Sequence, residues 1–258
     1  MTDLLDRMLT ERDLSIVFQP IFHIADEPAL VAVEALTRGP RGTHFENAAV
    51  FFDYVRLKRQ EIAVDRHCIT NAIAAAAALP SLPRLSINVH ASTLERDENF
   101  PAFLGGLCDE YSIDTGSLIV EIVEQTPYWD TSRLLTVLRR LRTMGIGIAV
   151  DDIGFGHGNY RMILDARPEY MKIDRYFVVG CAADPYRRSL LRSVCLLARD
   201  FGSIVVAEGI ESEDDLQAVR DLRIQFGQGY LLAPPSPTPQ FTAYRLAACE
   251  ERAKEIPI

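Results

Sequence analysis

The sequence predicts an α/β fold closed as a (β/α)8 barrel, and three observations carry that expectation. At 258 residues the chain has the length of a single large domain of this kind. Its 48% hydrophobic residues supply a substantial core, with an ordinary 24% charged. Eight strand-like segments alternate with mostly helical stretches, which favours parallel strands joined by crossovers in a barrel over an open doubly wound sheet.

Taken in order, the first two strands are "SIVFQPIF" (15–22) and "LVAVEAL" (30–36). Only "HIADEPA" separates them, too short for a parallel crossover, so they form an antiparallel hairpin. Residues 47–79 read as two helices, followed by the strand "LSINV" (85–89) and a helix over 100–111. "SLIVEIVE" (117–124) is a buried strand. "DTSRLLTVLRRLRTMG" is a well-marked helix over 130–143. Asp130, Thr131 or Ser132 caps it, leucines recur at 134, 135, 138 and 141, and Gly145 stops it. Strands follow at "GIGIAVDD" (145–152), "YMKID" (170–174), "SIVVAEGI" (203–210) and "FGQGYLL" (226–232). Helices are expected over 185–201, 212–221 and 237–253. No linker or repeat divides the chain. It reads as one domain, 1–258, with an N-terminal helical extension (1–14) and a C-terminal helix and tail (237–258).

The net charge of −9 argues against general affinity for DNA, RNA or anionic lipid, but leaves room for one small anion held locally. Cysteines 68, 108, 181, 195 and 249 form no CxxC pair and read as reduced thiols. The opening "MTDLLDRMLTERDL" is amphipathic and charged, unlike a signal peptide. The longest apolar run, "AIAAAAALP", is far too short to span a bilayer. The expectation is a soluble, cytoplasmic protein.

Polar residues interrupt the strands near their C-terminal ends: Glu34, Asn88, Glu121, Asp151 with Asp152, Lys172 with Asp174, Glu208 and Gln228. In a barrel these ends converge on the face where active sites are built. Among them, the five carboxylates of Glu34, Glu121, Asp151, Asp152 and Glu208 with the amide oxygen of Asn88 make a hard-oxygen cluster suited to Mg²⁺ or Mn²⁺. With His90 the sole His or Cys beside it, zinc is disfavoured. Lys172, alone among acids, suits a group that neutralises an anion or orients a water. Alternation puts Lys172 and Asp174 on one face of their strand. The same rule keeps Asp151 and Asp152 from sharing one side of a regular strand. Asp151 can bridge two metals while Asp152 swings to the second, and glycines 154, 156 and 158 permit an adjustable turn. Such a centre fits phosphoryl transfer to water. The residues alone also allow a Mg²⁺-dependent barrel enzyme acting on an enolisable acid.

The motifs "EAL" (34–36), "INV" (87–89), "EIVE" (121–124), "DDIGFG" (151–156), "KID" (172–174), "AEGIE" (207–211) and "QGY" (228–230) together resemble the EAL-domain family of bacterial cyclic-di-GMP phosphodiesterases. The resemblance runs from about Phe18 to Pro235 and implies a modified TIM barrel with one antiparallel strand. It implies Glu34, Asn88, Glu121 and Asp151 as ligands of a first Mg²⁺ or Mn²⁺. Asp151 and Asp152 would hold a second, with Glu208 as ligand through water or as base. It further implies Lys172 orienting the catalytic water, Gln228 supporting the site and Glu124 anchoring the glycine loop. Gln19, Leu36, Arg38 and Glu211 would lie against the dinucleotide. Ca²⁺ would inhibit, and a homodimer or a regulatory protein partner would carry control. Three departures stand out: Ile153 where the family usually has Phe, "HGNYR" in place of a Ser-rich tail, and a short "GPRGTHFENAA" lacking the usual Trp. A non-hydrolysing cyclic-di-GMP receptor and a pure interaction module are the other functions this resemblance admits.

Overall fold

The computed structural model describes residues 5, 14–25, 27–79, 83–123, 130–154, 159–238 and 245–246. Eight strands close into a barrel: β1 (Ser15–His23), β2 (Ala29–Arg38), β3 (Arg84–His90), β4 (Leu118–Val123), β5 (Gly147–Ile153), β6 (Tyr170–Ile173), β7 (Ile204–Ala207) and β8 (Phe226–Gly227). From β2 to β8 neighbours run parallel in chain order, while β1 pairs antiparallel with both β2 and β8 and closes the ring. The expected hairpin is thus the single reversal in the barrel.

The helices are α1 (Ala48–Lys58), α2 (Glu61–Ala77), α3 (Ala91–Arg96), α4 (Phe100–Tyr111), α5 (Thr131–Thr143), α6 (Asn159–Ala166), α7 (Arg175–Val178), α8 (Pro185–Phe201) and α9 (Glu213–Asp221). In α5, Asp130 is the cap, accepting from the backbone N–H groups of Ser132 and Arg133. Leu134, Val137, Leu138 and Leu141 bury its inner face, and Gly145 ends the turn at φ +81°. Leu135, by contrast, is only half-buried, because Val137 completes the stripe that faces the barrel. The sequence reading omitted α3, α6 and α7. Two of these are too short to display a helical period, and α6 follows the glycine-rich turn.

The core has two parts. Outside the barrel, Ile87, Val89, Val120, Ile122, Ile148 and Val150 pack with the helices in one large cluster. Inside, Ile21, Ala32, Ile119, Ala149, Tyr170 and Val206 form an apolar plug. Two corrections to the sequence reading concern the last strands. β7 and β8 stop at Ala207 and Gly227, short of the expected 210 and 232, since the chain turns at Gly209 (φ +66°) and Gly229. The expected helix over 237–253 falls mostly outside the described residues, but Arg245–Leu246 form a ninth strand, parallel to Ala29 and Leu30 of β2. There β2 extends past β3, whose pairing begins at Ala32, so its free backbone groups need another partner. Among the described residues no helix is long and apolar enough to cross a membrane, and the four described cysteines are free thiols.

Candidate active site

Strand alternation builds the site. Two residues beyond the plug positions Ala32, Ile119, Ala149, Tyr170 and Val206 come Glu34, Glu121, Asp151, Lys172 and Glu208, all pointing inward one layer higher. On the reversed β1 the matching step runs from Ile21 back to Gln19, which pairs in register with Glu34. Each of these six strands therefore gives the barrel an apolar residue below and a polar one at the mouth.

Lys172, 2% exposed, is the hub. Its Nζ lies 2.6 Å from Glu121 Oε2, 2.7 Å from Glu208 Oε1 and 3.1 Å from both Glu34 Oε2 and Asp151 Oδ1. Asn88 Nδ2 donates to Glu34 Oε1 at 2.9 Å, and Gln228 Nε2 donates to Glu34 Oε2 at 2.8 Å and Glu208 Oε1 at 3.0 Å. Ser86 donates to Glu121 from below. The sequence reading missed Ser86, although its place two residues before Asn88 would have put it inside.

Burial disfavours the ammonium, yet the four acids outweigh that and hold Lys172 well above its ordinary range. Burial also drives the acids upward, and one lysine cannot offset all of them. Glu34 alone ends lower than usual, because Lys172, Asn88 and Gln228 overcome its desolvation. Burial and the neighbouring Glu34 push Glu121 up to about 8, and burial with Asp151 pushes Asp152 up to about 7. Asp151 and Glu208 are likewise raised, chiefly by burial. The mouth of the barrel carries more acid than its own cation can balance.

Asp152 joins the cluster because β5 loses its alternation there. Its φ is +53°, and the β5–β6 register slips between Val150 and Ile153. Carboxylate oxygens of Asp151, Asp152 and Glu208 consequently lie within 4.8 Å of one another. Asp151 Oδ1 contacts Lys172 as an ion pair outside hydrogen-bond geometry, and both it and Gln228 Oε1 are buried without a hydrogen-bond partner. Orphaned buried oxygens beside excess carboxylate are what a hard divalent cation satisfies, so these residues fit Mg²⁺ or Mn²⁺.

The other expected residues divide. Leu36 and Arg38 line a cavity of about 230 Å³ that begins at Glu34, Asn88 and Asp151 and runs between β2–β3 and α1–α2. Gln19 is buried, its Nε2 3.5 Å from Ala233 O. Glu211 stands at the surface, paired with Arg175 at 2.8 Å, and does not line this cavity. Glu124 and most of the glycine loop, 155–158, lie outside the described residues. β6 ends at Ile173, and Asp174 just beyond it caps α7 through Tyr176 N–H while lying beside Asp152 of the acid cluster. Gly229 in "QGY" has a steric reason: a Cβ there would fall 2.1 Å from Ile210 O, where Ile210 N–H donates to Gln228 O.

The comparisons with known proteins agree with this geometry. A family model for the EAL domain matches residues 3–235. The chain is 39% identical over 152 residues to the cyclic di-GMP phosphodiesterase PA2567 of Pseudomonas aeruginosa, covering 59% of this chain and 26% of that protein. It is 33% identical over 163 residues to the cyclic di-GMP phosphodiesterase RocR of the same organism, covering 62% of this chain and 41% of RocR. The chain thus spans less than half the length of these relatives. In fold it is similar to a cyclic di-GMP-bound standalone EAL protein of Vibrio cholerae, with a TM-score of 0.78 and 24% identity over 89% of this chain and 98% of that one. With the family model matched across nearly the whole barrel, this chain belongs to the EAL domain family.

Proposed function

We propose that this chain, as one EAL domain, hydrolyses cyclic di-GMP to linear pGpG with metal-activated water, as a cyclic-guanylate-specific phosphodiesterase. The observation that carries the reading is the barrel mouth, where five acids share one ammonium and buried oxygens lack partners, in a chain similar to named cyclic di-GMP phosphodiesterases. Glu34, Asn88, Glu121 and Asp151 would hold one Mg²⁺ or Mn²⁺; Asp151, Asp152 and Glu208 would hold another. When bound, the pair supplies a nucleophilic water at neutral pH and neutralises charge on phosphorus.

The chain's own groups do the rest. Lys172, kept protonated by its acids, donates a hydrogen bond and cannot act as base. It orients the attacking water. Glu208, which accepts from Gln228 and lies 2.7 Å from Lys172 Nζ, would take that proton. Gln228 holds Glu34 and Glu208 together, and Arg38, Leu36, Gln19 and Glu211 receive the dinucleotide. Glu124 anchors the glycine loop. Exposed Tyr160 and Leu164 on α6, beside that loop, support a homodimer. A regulatory protein partner would act through the same face, and the working compartment is the cytoplasm.

The test is pGpG formation from cyclic di-GMP with Mg²⁺, Mn²⁺ and Ca²⁺ in parallel. Turnover with the first two and binding without turnover in Ca²⁺ are expected, since Ca²⁺ bonds are longer and looser. Binding without turnover in every metal would make the chain a receptor, and no binding would make it an interaction module.

A further inference from the structure

Six strands give the plug below the acids an apolar side chain, but β3 gives it a hydroxyl. Ser86 is fully buried and pairs in register with Ile119 of the plug on one side and with Glu34 on the other. A hydroxyl buried at that depth needs a partner there, and Ser86 Oγ donates to Oε1 of Glu121. The second oxygen of the same carboxylate, Oε2, lies 2.6 Å from Lys172 Nζ. Glu121 is therefore held by two donors at different heights, Oε1 from the plug and Oε2 from the mouth. The neighbouring acids are held differently. Glu34 Oε1 accepts from Asn88 Nδ2, part of an amide whose oxygen can itself turn to a cation. Asp151 Oδ1 has no hydrogen-bond donor. Ser86 sits a layer lower than these groups and acts on a cation only through Glu121.

We propose that Ser86 is a positioning residue that keeps Glu121 a one-oxygen ligand and so sets the ion preference of the first metal site toward Mg²⁺ or Mn²⁺ over Ca²⁺. This rests on the metal-dependent reading proposed above. Mg²⁺ and Mn²⁺ favour a tight octahedral shell, whereas Ca²⁺ takes a larger, looser one and accepts both oxygens of a single carboxylate. With Oε1 drawn down to the plug, Glu121 offers a cation Oε2 and not the pair. The hydroxyl thus withholds the extra oxygen from which Ca²⁺ gains most. It also removes the freedom of the carboxylate to swing, so the ligand is set before the ion arrives.

Ion affinities are read without nucleotide, from the electron paramagnetic resonance of Mn²⁺ bound to chelator-treated protein and its displacement by Mg²⁺ and by Ca²⁺. Ser86→Ala frees Oε1 and should raise the Ca²⁺-to-Mg²⁺ affinity ratio about 10-fold, the lower end of what losing such a supporting partner does. Ser86→Cys, close in size and a weaker donor, should fall between Ser86→Ala and wild type. Ser86→Thr keeps the hydroxyl and should keep the wild-type ratio. The ratio separates positioning from folding, because a loosened barrel weakens every ion alike, and thermal midpoints in EDTA show which variants are folded. An unchanged ratio in Ser86→Ala and Ser86→Cys, with or without weaker binding overall, overturns the proposal. So does a Ser86→Thr ratio shifted as far as that of Ser86→Ala. Wild-type protein that binds none of these ions would sink the metal-dependent reading and the proposal together. Wild-type binding and pGpG formation, beside an unchanged ratio in Ser86→Ala, would sink the role of Ser86 alone.

Discussion

Replacing Lys172 with Met tests how the barrel mouth is balanced. The substitution keeps most of the stem and removes an ammonium that is 2% exposed and lies within 3.1 Å of four carboxylate oxygens. Breaking a buried ion pair by deleting one partner costs about 3–5 kcal/mol, because the other charge stays buried and unpaired. At roughly 2–4 °C per kcal/mol for a chain of this size, the midpoint should fall about 6–20 °C in chelator. Mg²⁺ should restore more of that loss in the variant than it adds to wild type, because the same acids then have only the metal to balance them. On turnover, losing one positioned electrostatic group should lower kcat about 10²-fold or more. Affinity for cyclic di-GMP in Ca²⁺ should change less. The assays are thermal melts in EDTA and in Mg²⁺, followed by pGpG kinetics. A chelated midpoint within about 2 °C of wild type would refute the charge balance. A collapse of affinity with kcat intact would make Lys172 a substrate clamp.

Three further outcomes are expected. Asp151→Asn should abolish hydrolysis yet raise the metal-free midpoint, because burial and the nearby Glu34 make its ionised form unfavourable; a lower midpoint measured in EDTA would contradict this. Gly229→Ala should destabilise the fold by about 1–3 kcal/mol or more and reduce turnover, since its Cβ would meet Ile210 backbone and push Gln228 away; denaturant melts with wild-type stability would remove the steric argument. Asp65 sits among Glu61, Thr93 and His90, and burial raises its carboxyl from 3.8 to about 7. The folded state therefore favours the protonated form, and this contribution is full below about 4 and lost as pH rises through about 7. Asp65→Asn should flatten that part of the stability–pH curve, and a variant with the wild-type slope would assign the slope elsewhere.

Much of this molecule was legible in the sequence because one-dimensional rules suffice for it. Period-2 alternation, together with the polar interruptions near the strand ends, placed Glu34, Asn88, Glu121, Asp151 and Lys172 on inward positions, and the short "HIADEPA" segment dictated the antiparallel hairpin. Asp130, Leu134, Leu138, Leu141 and Gly145 marked α5 by the same local logic. Tertiary structure decided what depends on who meets whom. That Lys172 is gripped by Glu34, Glu121 and Asp151 from three other strands and by Glu208 just past β7, and not by Asp174 two residues away, follows from barrel closure, since contacts across the barrel leave no trace in local spacing. Asp152 reaches Asp151 and Glu208 only through a left-handed residue and a register slip, which no alternation rule anticipates. His90 of β3 and Arg56 of α1 line one cavity, a meeting that no pattern in either segment announces. Strand periodicity sets which way a side chain points, and only the closed chain sets what it finds there.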